Sequence, residues 1–333
     1  MPTDHQGKYP YDQVLAKSLL FYEAERSGPL PGDHRVKWRG DSGMDDEVLG
    51  GYYDAGDHVK FGFPMASMTT ILAWGADSFY EGYKKADQLD WMDRCLKWST
   101  DYFMKAHKSD CELVGQIGDG NADHAWWGRP EEMSMERPAW SITCSSPGSD
   151  LAAETAAALA SSSLYFTKRG DTEYAEQLLT HARSLFQFAD EHRGVYTDAI
   201  PNASGFYQSW SGYEDELLWA AAWMAKATGE AEFVSMAEEY YSQWEELQGL
   251  PAEFSWDDKT AGAQLLMWEV TGDDTYKSNA QDFLDYLFGC ETTPKGLIWL
   301  TSSQWGSLRY AANHCTLNVD SQFPCPCHPR MCL

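Results

Sequence analysis

The sequence predicts an all-α protein built from repeated helix pairs. Apolar residues recur every three or four positions along about ten segments, and this period is typical of helices that bury one face. No comparable alternating pattern, the mark of strands, appears in the 333 residues. Three short connectors that begin at Gly170, Gly229 and Gly272 resemble one another, and their spacing indicates a repeated unit of two helices.

Each predicted helix follows from an apolar stripe. The stripe of the first helix contains Leu15, Leu19 and Tyr22. At the short connectors glycine ends one helix, an acidic residue favours the start of the next, and an aromatic residue opens the next stripe. The predicted helices lie near residues 11–26, 64–80, 87–107, 150–168, 171–191, 213–228, 230–246, 257–271 and 273–288, and one starts near residue 306.

Long connectors alternate with the short ones. In a ring or stack of helix pairs, the short turns share one end and the long loops share the other. Long loops without helices of their own are usually functional, so we expect the chemistry at the loop end. The long connectors span about residues 27–63, 108–149, 192–212 and 289–305.

The composition favours an uncharged binding partner. With 51 acidic and 25 basic residues the net charge is −26, which argues against nucleic acids and anionic membranes because both bind basic surfaces. No apolar stretch reaches the ~18 residues of a membrane span. The 15 Trp, 18 Tyr and 14 Phe residues supply flat rings on which sugars can stack. The N-terminus lacks a charged head followed by an apolar run, so we expect no secretory signal in this sequence.

Asp54 and Asp57 in the first long loop are the first candidates for chemistry. Two carboxylates three residues apart, with Gly56 between them, can converge on one water that one holds and the other deprotonates. The alternative is an Asx turn with two solvated acids. Their spacing alone leaves both interpretations open.

The other long loops carry aromatic and polar candidates. Trp126 and Trp127 are either a sugar platform or packing residues of their loop. Between residues 206 and 216 oxygen donors follow aromatic residues, which suggests a stacking surface beside a hard-cation site, or a plain helix start capped by Ser211. Arg309 is expected either to grip a substrate group or to pair with an aspartate.

Together these motifs resemble glycoside hydrolase family 9, the inverting cellulases. The resemblance covers residues 9–312 and favours the catalytic interpretation of Asp54 and Asp57. It is carried by an opening helix, a base motif and two substrate-binding stretches, which match residues 11–28, 51–61, 206–216 and 305–310.

The resemblance implies an (α/α)6 toroid, a ring of six helix pairs with an open cleft for a glucan chain. Asp57 would be the general base that deprotonates the attacking water, and Asp54 would help to hold that water. The implied protein is a secreted endo-β-1,4-glucanase, a cellulase whose partner is cellulose or another β-1,4-glucan. The implied sugar-binding residues are His124, Trp127, Tyr207, Trp210, Trp256, Trp305, Arg309 and Tyr310.

The resemblance also implies a structural calcium ion, since some members of the family bind one. We expect no cofactor in the chemistry itself. The ion would brace a loop, and the matching residues are Ser211, Gly212, Asp215, Glu216 and Asp257.

The end of the chain departs from the family pattern. Residues 1–312 match an incomplete catalytic domain with about ten of the twelve helices, whereas residues 313–333 form a Cys- and Pro-rich tail that matches nothing. The glutamate that serves the family as general acid lies beyond the last matching motif. We therefore expect a ring that is not closed, impaired hydrolysis, and oligomers or aggregates formed through uncovered helix faces.

The eight cysteines are unevenly placed and predict no regular disulfide framework. Several crowd the tail beside His328, but their spacing fits no zinc ribbon or finger.

Two other functions stay open at this point. One is a non-catalytic glucan-binding protein that keeps the aromatic cleft. The other is a related helical-ring enzyme that acts on a different polysaccharide. Release of reducing sugar, compared with retention on cellulose, separates an enzyme from a binding protein.

Overall fold

A computed structural model describes residues 9–300 and 305–320 of the chain. It confirms the all-α prediction, and each of the ten predicted helices lies within a few residues of its expected bounds. The helices are α1 (Tyr11–Ala24), α2 (Gly62–Ser78), α3 (Tyr80–Lys85), α4 (Leu89–Ala106), α5 (Gly120–His124), α6 (Ser149–Arg169), α7 (Thr172–Glu191), α8 (Tyr196–Ala199), α9 (Glu214–Thr228), α10 (Ala231–Gln243), α11 (Thr260–Thr271), α12 (Asp274–Gly289) and α13 (Ser307–Asp320).

The long helices form inner and outer layers. Helices α2, α6, α9 and α11 are buried on most sides and contact one another in this order. In α6 a run of alanine and serine leaves little bulk, so its neighbours approach it from several directions. Each of these four inner helices is paired with an outer helix, α4, α7, α10 or α12, that buries a single stripe, and the pairs form part of an α/α toroid.

The connectors alternate as predicted. The short turns from inner to outer helices contain Gly170, Gly229 and Gly272, whose φ angles of +85°, +70° and +72° lie in the left-handed region that glycine adopts without strain. The long loops lead from the outer helices to the N-termini of the inner ones. They therefore gather at one end of the toroid.

A small antiparallel sheet, which the sequence did not predict, lies among these loops. Its strands are β1 (Lys60–Phe61), β2 (His107–Ser109), β3 (Glu112–Ile117) and β4 (Ala139–Thr143). Strand β3 pairs with the other three. Because β3 is buried on both faces from Leu113 onward, its sequence lacks the alternation that marks a half-exposed strand.

One disulfide, Cys111–Cys144, ties the turn between β2 and β3 to the residue after β4. The sequence did not predict this pair. The two cysteines are 33 positions apart, and it is the sheet that brings them together.

Helix α13 is the last described element, and it ends at Asp320. It contacts both α12 and α2. Residues 313–320 of the predicted tail thus belong to a helix, whereas residues 321–333, with their cysteines and His328, lie outside the described residues. None of the helices in the described residues is long and apolar enough to cross a lipid bilayer.

Candidate active site

An open cleft of about 680 Å³ lies at the end of the toroid where the long loops meet. Aromatic rings and acidic groups line it together. The lining residues are Asp54, Ala55, Gly56, Asp57, His58, Asp123, His124, Trp126, Trp127, Gly128, Gly205, Phe206, Tyr207, Trp256, Trp305 and Arg309.

The loop that carries the two predicted catalytic aspartates is a tight turn just before β1. The backbone N–H of Asp57 donates to the carbonyl of Asp54 at 2.9 Å, and the N–H of Asp54 donates to the carbonyl of Val59 at 3.0 Å. Asp57 Oδ1 accepts the N–H of Val59 at 2.8 Å, which is an Asx turn. The turn that we considered as an alternative is therefore present, and it aims both carboxylates into the cleft.

Asp57 keeps one oxygen available for chemistry. Its Oδ1 is occupied by the backbone, while Oδ2 lies 3.1 Å from Nε2 of His124. The side chain is only 11 % exposed. Burial raises the pKa of Asp57 to about 7, and repulsion from Asp54 adds to the rise. A carboxylate whose pKa lies near neutrality is suited to accept a proton.

Asp54 lies deeper and is held by an aromatic residue. The hydroxyl of Tyr207 donates to Asp54 Oδ2 at 2.6 Å. Burial raises the pKa of Asp54, although this hydrogen bond and the nearby Arg309 guanidinium oppose the rise. The other oxygen of Asp54 has no side-chain partner among the described residues and can accept a hydrogen bond from a water.

Aromatic rings form one wall of the cleft. Tyr207 packs between Phe61 and Trp256, with ring centroids 5.0 and 4.9 Å away. Phe206 meets the ring of His124 at 5.0 Å. These tilted and edge-to-face contacts fix the orientation of the rings that line the cleft.

Trp126 and Trp127, whose role the sequence left open, have different surroundings in the structure. Trp126 packs edge-on against His58 of the first long loop, with centroids 5.4 Å apart, and therefore holds two loops together beside the cleft. Trp127 is 98 % exposed at the cleft and is available as a platform.

Most of the predicted sugar-binding residues reach the cleft, but two do not line it. Trp210 is 79 % exposed outside the described lining. Tyr310 is buried, and its hydroxyl accepts a hydrogen bond from Arg309 Nη2 at 2.8 Å, so it orients the arginine from behind. Those that line the cleft are His124, Trp127, Tyr207, Trp256, Trp305 and Arg309.

Asp123 is a cleft residue that the sequence analysis missed. It is 3 % exposed and accepts hydrogen bonds from the backbone N–H of His58, at 3.2 Å, and from its Nδ1, also at 3.2 Å. It therefore ties α5 to the loop of Asp57. No local motif could reveal this contact, because the two partners are 65 positions apart.

The residues predicted to bind calcium lie on two neighbouring segments: Ser211 and Gly212 precede α9, Asp215 and Glu216 lie in its first turn, and Asp257 precedes α11. The hydroxyl of Ser211 donates to the carbonyl of Asp257 at 2.7 Å, which joins two loops, so Ser211 does not cap the helix. Asp215 Oδ1 and Glu216 Oε2 are buried and have no hydrogen-bond partner in the part of the chain that the structure describes. Bare carboxylate oxygens within a set of oxygen donors fit a hard cation such as Ca²⁺.

A buried ion-pair group lies next to this set. Lys259 Nζ lies 3.2 Å from Glu216 and 3.4 Å from Glu154, and all three side chains are inaccessible to solvent. Burial opposes the charge of Lys259, but the surrounding acids outweigh burial and raise its pKa. Residues 257–259 precede α11, which begins later than predicted, at Thr260.

The fold and the cleft together define an α/α toroid with an acidic, aromatic groove. Comparison with known proteins gives the family. The profile described as glycosyl hydrolase family 9 matches residues 11–320, past the boundary at residue 312 that the sequence suggested, and the chain belongs to this family.

Relatives with known names are endoglucanases. Endoglucanase A of Bacillus pumilus is 47% identical over 323 residues, which cover 92% of this chain and 49% of that protein. Endoglucanase 15 of Arabidopsis thaliana is 44% identical over 322 residues, which cover 91% and 64%. The chain thus spans about half the length of the bacterial relative.

Solved structures agree on the fold. The endoglucanase of the termite Nasutitermes takasagoensis matches with a TM-score of 0.91 and 49% identity, over 94% of this chain and 73% of that one. Endoglucanase CelQ of Clostridium thermocellum, complexed with cellotriose, matches with a TM-score of 0.85 and 36% identity, over 98% and 54%.

Proposed function

We propose that this protein is an endo-β-1,4-glucanase that hydrolyses the β-1,4-glucosidic bonds of cellulose or a related glucan with inversion. The observation that carries the proposal is the placement of Asp54 and Asp57 together in a cleft walled by aromatic rings. Membership of the family and the names of the relatives support it. The net charge of −26 suits a neutral polymer, because an uncharged chain is not repelled.

In this proposal Asp57 is the general base. Its Oδ2 receives the proton of the attacking water, since Oδ1 is already engaged by the backbone of Val59. Asp54 positions the same water through the oxygen that Tyr207 does not use. An inverting hydrolase needs room for this water between its two carboxyl groups, about 6.5–9.5 Å apart. We assign no general acid among the described residues.

Six side chains are proposed to hold the glucan within the cleft. The rings of Tyr207, Trp127, Trp256 and Trp305 offer apolar faces to pyranose rings. The polar groups of His124 and Arg309 reach sugar hydroxyls from the same wall. In this proposal both ring stacking and hydrogen bonds position the substrate.

The test is hydrolysis of carboxymethylcellulose by the purified chain. We expect reducing sugar to be released slowly, because no general acid is assigned among the described residues, together with a fall in viscosity, since internal bonds are cut, and an α-anomeric product in an early NMR spectrum. Retention on cellulose without sugar release would contradict the proposal. A β-anomeric product would contradict inversion.

We also propose that Ca²⁺ binds at Ser211, Gly212, Asp215, Glu216 and Asp257 and braces the loop before α9. Burial raises the pKa of Asp215 to about 7, and repulsion from Asp258 adds to it, so a cation would relieve crowding among these acids. A ligand at about 100 times its Kd adds roughly 2.7 kcal/mol to the free energy of unfolding. We expect Ca²⁺ to raise the Tm and EGTA to lower it, and an Asp215→Asn variant to lose this response.

We further propose that the protein works outside the cell. The Cys111–Cys144 disulfide supports this, because disulfides persist in oxidising compartments. Mass spectrometry of the secreted protein, alkylated before and after reduction, tests it. We expect these two cysteines to be labelled only after reduction.

A further inference from the structure

Three metal-binding side chains converge at the centre of the cleft. One carboxylate oxygen each from Asp57 and Asp123 and one ring nitrogen of His124 all lie within 4.8 Å of one another. Nε2 of His124 and Oδ2 of Asp57 are 3.1 Å apart. In a tetrahedral zinc site, bonds of about 2.0–2.2 Å place neighbouring ligand atoms about 3.3–3.6 Å apart. The separation of 3.1 Å in this pair is close to that range, and the third atom lies within 4.8 Å of both.

Hydrogen bonds from outside the group orient two of these ligands. The N–H of Val59 holds Asp57 Oδ1, which turns Oδ2 toward His124. His58 donates from its backbone to Asp123 and contacts the same carboxylate through Nδ1, so that the aspartate has one orientation. Partners of this kind are what fix the ligands of a metal ion.

The position has an entry route and an open coordination site. His124 is 50 % exposed and faces the cleft, so an ion and a water can reach it. Two carboxylates and one imidazole suit a borderline ion such as Zn²⁺, whereas Ca²⁺ and Mg²⁺ prefer oxygen ligands alone.

We propose that Asp57, Asp123 and His124 bind one Zn²⁺ or a similar transition-metal ion, and that the bound ion inhibits hydrolysis. The ion would occupy the oxygen of Asp57 that otherwise receives the proton of water. It would also take His124 away from the substrate. The inhibitory part of this inference rests on the proposed function, whereas the binding part does not.

Two other groups of side chains in the described residues could compete with the cleft for Zn²⁺. His107 and His181 face each other outside the cleft lining, with their Nδ1 atoms 2.9 Å apart, and such a pair can also attract Zn²⁺. Cys111, Cys144 and His192 also lie close together, but both sulfur atoms are engaged in the disulfide. The double variant His107→Ala/His181→Ala therefore removes the main competing site.

The binding test is titration of the chain with ZnCl₂ by calorimetry, repeated with Co²⁺, whose visible absorption reports the ligands. We expect one cleft ion. Asp123→Asn and His124→Ala should each weaken its affinity at least about tenfold, whereas the His107→Ala/His181→Ala variant should keep it. Unchanged affinity in both cleft variants, or its loss in the double variant, would overturn the site. His124 is half-exposed, so its variant keeps the test valid if Asp123→Asn does not fold.

The inhibition test separates this inference from the proposed function. Zn²⁺ should suppress sugar release from carboxymethylcellulose over the concentration range in which it binds, and EDTA should restore release. Hydrolysis that continues with the site occupied would overturn the inhibitory role and leave the glucanase intact. A chain that binds Zn²⁺ through these residues, but releases no sugar when metal-free, would keep the site and overturn the proposed function.

Discussion

Two groups of acidic residues lie at the loop end of the toroid, and they differ in what balances their charge. In the cleft, the Asp57 carboxylate is met by the backbone N–H of Val59 and by the ring of His124. In the buried group, Glu154 and Glu216 share the ammonium of Lys259. A neighbouring permanent cation opposes protonation of a carboxylate, whereas Asp57 has no such cation bonded to it and is held by hydrogen bonds.

Burial acts on both groups in the same direction. It raises the pKa of Asp57 in the cleft and of Glu216 in the interior, because it penalises the charged form. The difference therefore lies in the partner and in the access of water. The carboxylates beside Lys259 are inaccessible to solvent, whereas Asp57, which is 11 % exposed at the cleft, is available for chemistry.

The largest effect is expected from Asp57→Asn. An amide cannot accept a proton at this position, so hydrolysis of carboxymethylcellulose should fall at least about 100-fold. The asparagine side chain has nearly the same shape as that of aspartate. The Tm and the retention on cellulose should therefore stay close to those of the parent chain. Activity within a few-fold of the parent would remove Asp57 from the role of base.

The next effect is expected on stability, from Lys259→Met. Removing one partner of a buried ion pair leaves uncompensated charge and costs about 3–5 kcal/mol. Lys226→Met is the matched control, because its pair with Glu269 at 2.6 Å is partly exposed and should contribute about 1 kcal/mol or less. Urea denaturation measures both. Equal losses would mean that burial does not distinguish the two pairs.

A smaller effect is expected from Trp127→Ala. The indole is 98 % exposed, so its loss should leave the Tm unchanged while weakening glucan binding by about 1 kcal/mol. Trp126→Ala is the contrasting variant, because Trp126 packs on His58 and should lower the Tm. Retention on cellulose and thermal melting measure the two variants. A lower Tm for Trp127→Ala would place that ring in the packing rather than at the surface.

The helices could be predicted from the sequence because their stripes are local, and the sheet could not. Gly170 marks a turn within a few positions, where propensity and pattern agree. The strand that contains Leu113 is defined by partners far along the chain. Its burial on both faces removes the alternation that would have revealed it.

Only the part of the candidate site that lies within one sequence motif could be predicted. Asp54 and Asp57 lie in one motif and were found from it, although their spacing alone did not decide between a turn and a catalytic pair. Asp123 was missed because its contact with His58 exists only in the folded chain. Lys259 falls within the helix predicted near residues 257–271. Nothing in its sequence neighbourhood predicts a fully buried ammonium.

The smallest expected effect is a shift in the pH profile caused by Asp54→Asn. A base works when it is deprotonated, and the pKa of Asp57 is about 7, so kcat/KM should fall as the pH decreases through this region. Burial is the main cause of the raised pKa and repulsion from Asp54 is the second. Removing that charge lowers the pKa of Asp57, so the acidic limb should move to lower pH even if the overall rate also declines.

Asp215→Asn is the control for this shift, because Asp215 belongs to the buried side of the comparison. It lies within α9, accepts the backbone N–H of Lys259 at 2.7 Å, and is not among the charges that shift Asp57. The acidic limb should therefore stay in place in this variant. If both variants move the limb equally, the two groups of acids act as one electrostatic unit, and the distinction between a structural and a chemical carboxylate fails. If only Asp54→Asn moves it, the base is tuned by its neighbour in the loop.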